Sequence, residues 1–448
     1  MIRIQAISIL ALTLVGSVSA QTPEERFFDW TDTPFPAAEY GARRDRMLER
    51  IGGDVFLAWS GDGRSDGGTF RVLDDFNYFV GLELPNSILV LDGDQSSTTL
   101  FVPGRDARFE TASRPNDFPG RPLGDDPELA RRLGLRDIRP AEALPAFLST
   151  LEADGRRLYV NLGRDGPIPS VTPGIDRNWT RDEQLVAYLQ SRLGDIVFEN
   201  AFPSVAALRM VKSQREVEAI RRAATMTAEG IKSAAAFVKP GVDERTLEGE
   251  FEAELKRRGS PRLAFASIIK SGPNSLWPWR VLASHYDRRN RAMVAGDLVI
   301  FDVGAEVDYY SSDVGRTFPV SGTFTAEQRE ILTMEVGVAD AIIAAVRPGV
   351  TLRELQQIGE AAIPPEHRQY MQTGLFFGHH IGLAVGDPSL ADAELKAGMI
   401  FTVEPWYYNH DLGIAVFTED DILVTETGAE NLTAGLPRTA AELEEMVR

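Results

Sequence analysis

Cysteine is missing from all 448 residues, which excludes a disulfide framework, a lipobox and any thiolate that would select a soft metal. Histidine is scarce, at five, so each one has to be accounted for. Basic residues fall short of acidic ones, 47 against 66, leaving a formal net charge of −19. That balance excludes nucleic acid as a partner, because phosphate binding is driven by clustered Lys and Arg. One long apolar run occurs, from Ile4 to Val18, and nothing after it is apolar enough for a membrane helix.

That run follows Arg3 and ends in Val18, Ser19 and Ala20 before Gln21. A basic start, a short apolar stretch and small residues at the cleavage positions read as a secretory signal peptide over residues 1–20. A soluble periplasmic or secreted protein is expected, with no membrane attachment after cleavage. The remaining chain, in a sequence that is 43% apolar, can bury the cores of two or three domains.

What is present is an ordered set of acids. Asp302 ends the run Gly296–Asp302 (GDLVIFD), and Asp313 opens Asp313–Phe318 (DVGRTF) eleven positions later. Further on, Glu404 ends Gly398–Pro405 (GMIFTVEP) and Glu419 lies in Thr418–Val424 (TEDDILV), with His379 between the two pairs. Each acid touches a stretch that reads as a buried strand. A buried, ionised carboxylate is too costly to leave unpaired, so four of them with one imidazole point to two divalent metal ions. Such ions lower the pKa of bound water and make a nucleophile available near neutral pH. An oxygen-rich set with one imidazole suits Mn, Zn or Co.

The acids also belong to a repeat. Gly296 stands six residues before Asp302 and Gly398 six before Glu404, each preceded by Ala. Upstream of each, a helical run breaks at a matching turn, Lys239-Pro240-Gly241-Val242 and Arg347-Pro348-Gly349-Val350, and each copy has a His before its strand, His285 and His379. Residues 213 to 425 thus read as two copies of helix, helix, His, strand with acid, strand with acid. Shared turn chemistry alone, since helices often end at such breaks, does not explain why the acids fall at the same offset.

At these residues the chain resembles the pita-bread metallopeptidases, which include aminopeptidase P, prolidase and methionine aminopeptidase. The resemblance implies that Asp302 chelates one metal, that Asp313 and Glu419 bridge both, and that His379 with Glu404 completes the second. It favours Mn, assigns Glu404 a further role as proton shuttle, and places His285 in the substrate pocket as a non-ligand. Small peptides are the implied partners, and self-association stays open. Three departures bear on substrate: Gly386 stands where the family usually has a second His, Phe417 replaces an Arg two residues before the last Glu, and Trp406 follows Pro405 where the family prefers Gly. An exported Xaa-Pro aminopeptidase is the first reading, with an Xaa-Pro dipeptidase or a repurposed, non-peptidase protein on the creatinase-like scaffold as alternatives.

Other residues have duller readings beside the functional one. His380 points away from a ligand position if the segment is extended, His410 reads as a loop and His367 as surface. Trp277, Trp279, Tyr309, Tyr310 and Trp406 are either pocket walls or core.

The expected fold is α+β: a duplicated catalytic domain with a curved antiparallel sheet over residues 205–448, preceded by a smaller α/β domain over 21–204. In the smaller domain, strands are expected at 55–59, 87–91 and 99–102, with helices at 37–52 and near 126–134, 141–151 and 181–193. Residues 103–128 read as an exposed loop. Capping boxes at Ser213/Glu216, Thr325/Gln328 and Thr351/Glu354 open three helices.

Overall fold

The computed structural model describes residues 33–61, 70–103, 127–163, 181–193, 196–276, 290–371 and 378–448. The signal-peptide segment, the 104–126 part of the expected loop, Trp277, Trp279 and His285 lie outside the described residues. No helix among the described residues is long and apolar enough to cross a membrane.

The first half builds one six-stranded mixed sheet. Its strands are β1 (Val55–Trp59), β2 (Ile88–Asp92), β3 (Ser97–Val102), β4 (Asp137–Pro140), β5 (Leu158–Val160) and β6 (Phe198–Asn200), in the order β4-β3-β2-β1-β5-β6. β1, β2 and β3 pair antiparallel as successive strands, whereas β4, β5 and β6 join in parallel after helical crossovers. Helices Ala37–Ile51, Pro127–Leu133 and Arg181–Leu193 lie where the sequence places them. The expected helix at 141–151 instead starts as a 3₁₀ turn, Ala141–Ala143, and continues as Leu144–Ala153. Pro145 falls in the first turn of that helix, where its missing N–H costs nothing.

The second half confirms the duplication in its hydrogen bonds. Helices Gln214–Ala235 and Glu244–Arg257 form the first pair, Ala326–Ala345 and Leu352–Ala362 the second. All three expected capping boxes are closed in both directions; the Glu216 carboxylate, for one, accepts from the Ser213 N–H at 2.8 Å. Gly241 and Gly349 both sit at φ +87°, each donating at 2.9 Å to the residue that returns toward the sheet, Met293 or Leu395. Gly296 and Gly398 repeat the match at φ +94° and +88°, a region that glycine enters without steric cost.

Each repeat then delivers antiparallel strands. The first contributes β7 (Arg262–Leu263), β8 (Ile268–Ser271), β9 (Leu298–Val303), β10 (Ala305–Val307), β11 (Tyr310–Ser311) and β12 (Val314–Pro319). The second contributes β13 (Ile400–Val403), β14 (Trp406–Asn409), β15 (Ile414–Phe417), β16 (Asp420–Val424) and β17 (Ala429–Asn431). One apolar cluster joins the two copies, running from Ile231 and Phe251 through Phe301 and Val314 to Ile342, Phe401 and Ile422.

The two halves of the chain are locked together by buried charge as well as apolar packing. Tyr309 and Tyr310 belong to the apolar cluster that spans both halves, and the Tyr310 hydroxyl donates to Glu216 at 2.9 Å; they are core residues, not pocket walls. Asp387 accepts from Arg209 at 2.6 Å and from Lys212 at 3.2 Å, and Arg209 continues to Asp75 at 2.9 Å. Arg71 adds a bond to the Leu383 carbonyl at 2.6 Å. Burial alone would raise the Asp387 pKa, but Arg209 and Lys212 outweigh it and hold the group below its usual range. Its contribution is therefore present above the ordinary carboxylate pKa and is lost as pH falls through the depressed one. Asp387→Ala removes the carboxylate that Lys212 and Arg209 share and is expected to lower unfolding stability by about 3–5 kcal/mol, measured by urea denaturation near neutral pH, with Asp387→Asn losing less.

Candidate metal centre

β9 carries Asp302 near its end, opposite Gly315 of β12, and Asp313 stands one residue before β12. In the second copy, Glu404 stands one residue after β13 and Glu419 one before β16, where Val403 faces Asp420. A reciprocal backbone bridge between Gly315 and Glu419, at 3.3 and 3.0 Å, stitches the two ladders together where the acids stand. All four carboxylate residues are buried.

His379 completes the cluster from outside the ladders. Its N–H donates to Thr402 Oγ1 at 3.2 Å and its carbonyl accepts from the Thr402 N–H at 2.9 Å, which pins it beside β13. Nδ1 lies 3.2 Å from the His380 carbonyl. With the proton on Nδ1, Nε2 is left as the free lone pair, 3.5 Å from Asp313 Oδ2 and 3.4 Å from Glu404 Oε1. An imidazole whose other nitrogen is anchored on a carbonyl is the usual arrangement of a metal-ligating histidine. Ligand atoms of Asp313, His379 and Glu419 all lie within 4.8 Å of one another.

The electrostatics show that the cluster wants a cation. Burial pushes the Asp302 carboxyl well above its usual range, and Asp313 and Glu404 push it further. Glu419 is raised by burial and then by Asp313, Glu404 and Asp302. Glu404 rises to about 7 through burial, against the pull of His379. Burial disfavours a charged His379, yet its bond to Asp313 and the field of Glu404 outweigh that and lift it to about 9. Asp302 Oδ2, Asp313 Oδ1 and both oxygens of Glu419 are buried with no hydrogen-bond partner. Unsatisfied buried carboxylate oxygens beside an imidazole lone pair fit hard or borderline divalent ions.

The remaining histidines separate clearly. His380 is buried on the opposite side, bridging Phe401, with its ring held down to about 3 by burial and by Lys212. His410 is exposed. His367 departs from the surface expectation: it is half-buried, with its ring edge-on to Tyr407 at 5.8 Å.

The departures are visible too. A Cβ at Gly386, where the family usually has a second His, would meet nothing within 4 Å. Phe417 is fully buried, and the absence of a Cβ at Gly315 makes room for its ring. Sequence reasoning passed over Asp421, whose carboxylate accepts from the Asp313 N–H at 3.3 Å, and Glu335, which accepts from the Thr418 N–H at 3.2 Å. The signal for Asp421 was its two-residue offset from Glu419 in a strand, which puts both on one face; Glu335 gives no local signal on a long helix.

Comparison with known proteins agrees with this geometry. Residues 218–426 match Metallopeptidase family M24, and residues 40–159 match the family described as Aminopeptidase P, N-terminal domain. The Xaa-Pro aminopeptidase of Escherichia coli (strain K12) is 30% identical over 421 residues, covering 84% of this chain and 89% of that protein. Xaa-Pro aminopeptidase 2 of Streptomyces coelicolor is 29% identical over 490 residues, covering 96% and 97%. Among solved structures, zinc-substituted E. coli aminopeptidase P in complex with product aligns with a TM-score of 0.75 at 27% identity, over 92% of this chain and 98% of that one. With both family matches and a relative at 30% identity over most of its length, the chain belongs to metallopeptidase family M24, with an N-terminal domain of the aminopeptidase P type.

Proposed function

We propose that the chain is an exported, dinuclear Xaa-Pro aminopeptidase that removes the N-terminal residue from small peptides. Its family makes it a metallo-aminopeptidase; the proposal concerns metal count, substrate and destination. The observation that carries it is the set of buried, unpartnered oxygens on Asp302, Asp313 and Glu419, in a cluster that also holds His379 Nε2 and Glu404 Oε1 3.4 Å apart. Asp302 would serve one ion, His379 and Glu404 the other, and Asp313 and Glu419 both. Two Mn ions, or Zn or Co, would supply the Lewis acidity that activates water and polarises the scissile carbonyl.

The chain's own residues do the rest. Glu404, held near neutrality when no cation offsets it, is suited to take a proton and return it to the leaving amine. Thr402 and Trp406 orient its two oxygens at 3.0 and 3.3 Å. Asp421 braces the Asp313 backbone, so the acid in the middle of the site is fixed from behind. His285 stays assigned to the substrate pocket by resemblance. In the chain plan, residues 1–20 are the export signal, 21–204 the smaller domain and 205–448 the catalytic domain, so the mature protein recovered from the periplasm or medium is expected to begin at Gln21, as read by intact mass.

Asp313→Asn removes a charge shared by both ions. It is expected to abolish hydrolysis and to lower metal content, measured by elemental analysis; full activity in this variant, or active wild type with fewer than two ions per chain under saturating metal, would sink the dinuclear proposal. Adding Mn to chelated wild type should raise the unfolding midpoint, since a hundredfold excess over the dissociation constant stabilises by about 2.7 kcal/mol.

Substrate preference follows from the open space at Gly386 and the uncharged Phe417. Loss of two groups that could contact the substrate removes a few kcal/mol of transition-state stabilisation, so Xaa-Pro peptides should be cut slowly, with tolerance for residues other than Pro in second place. Tripeptides should be preferred to dipeptides, because no basic group in the last motif is placed to hold a free carboxylate. Steady-state rates on Xaa-Pro, Xaa-Pro-Xaa and Xaa-Ala-Xaa peptides decide this. Turnover of the dipeptide alone would make the protein a prolidase, and no turnover by fully metallated protein would favour a repurposed scaffold.

A further inference from the structure

Trp406 stands two residues beyond Glu404, so in extended chain both side chains leave the same face. The indole Nε1–H donates to Glu404 Oε2 at 3.3 Å, while Thr402 Oγ1 donates to Oε1 at 3.0 Å. Glu404 thus has both oxygens on protein donors, whereas Asp302, Asp313 and Glu419 each keep at least one bare. The oxygen held by the indole is Oε2; the one facing His379 is Oε1, at 3.4 Å.

The indole is itself held. Trp406 lies directly across the β14–β15 ladder from Phe417, and the two rings stack with centroids 3.5 Å apart and planes 19° from parallel. Tyr408 stacks on Trp406 at 5.5 Å and 9°, and Ile300 packs into the same cluster. Two of the three departures from the family pattern therefore touch each other: Phe417 offers a flat apolar ring, and Trp406 lies on it and reaches Glu404.

We propose that Trp406 is a positioning residue for Glu404: its indole N–H fixes the Oε2 edge of the carboxylate and so turns Oε1 toward the metal site, while the stack on Phe417 holds the indole in register. This rests on the metal-centre reading above. A group that hydrogen-bonds to a metal ligand commonly changes metal affinity or activity by about 10–100-fold. An effect on the reacting carboxylate alone lowers kcat and leaves KM nearly unchanged.

The full mature chain, stripped with chelator, is titrated with Mn alone by calorimetry while tryptophan emission is followed, for wild type, Trp406→Phe and Phe417→Leu. Trp406→Phe keeps a stacking ring without the donor. It is expected to weaken Mn binding by about tenfold or more, to lose the emission change that wild type gives on metal addition, and to lower kcat with little change in KM. Phe417→Leu, which keeps the donor and removes its support, should fall between the two. Affinity, emission response and kcat in Trp406→Phe all within about twofold of wild type would overturn the inference and leave the metal centre standing. Wild type that takes up no Mn would overturn the metal centre and this inference with it. Should circular dichroism show Trp406→Phe unfolded, Phe417→Leu decides: wild-type affinity and emission in that variant count against the proposal.

Discussion

The structure depends on the mutual repulsion of four buried carboxylates. Among the described residues, Asp302, Asp313, Glu404 and Glu419 are close enough to repel one another, with the His379 imidazole beside Asp313 and Glu404. Such a group is stabilised by protons or by cations, and burial together with the neighbouring acids pushes Asp302 and Glu419 toward holding protons when nothing else offsets their charge. Divalent ions would provide the second, at oxygens that have no hydrogen-bond partner. The fold therefore has to be rigid enough to bring like charges together before the ion arrives.

Rigidity comes from the duplication. Two copies of one helix–helix–strand unit meet at the Gly315–Glu419 bridge, so each copy presents its acids on strands that are already paired. The matched glycine turns at Gly241 and Gly349 set the same return path from helix to sheet twice. Behind the site, Arg316 reaches Asp420 at 2.7 Å and the Glu419 carbonyl at 2.7 Å, giving β16 a charged brace that leaves the Glu419 side chain free. The smaller domain takes part through Arg71, which reaches the Leu383 carbonyl, and through Asp75, which Arg209 joins to Asp387 in the turn that follows His379.

The substrate side of the site is less conventional than the metal side. Open space at Gly386 and an aromatic stack at Trp406 and Phe417 replace polar contacts with an apolar, neutral wall. The two sides are joined at Glu404, because the indole that stacks on Phe417 also donates to that carboxylate.

The sequence by itself determined the repeat, the order of the acids, the capping boxes and the three antiparallel strands of the smaller domain, because each depends on spacing within a few residues: alternation along a strand, a cap three residues from its partner, an acid six residues from a turn glycine. The family followed from the same local patterns. The tertiary structure alone decided the contacts between distant segments. Asp387 finds Arg209 across 178 positions of sequence, Trp406 meets Phe417 only through the β14–β15 register, and Glu335 lies buried against Thr418 although nothing in its helix marks it. His367, read as surface, packs on Tyr407 for the same reason. Burial and pairing are properties of the whole fold, and a chain read residue by residue carries its periodicities but not which of its faces will meet.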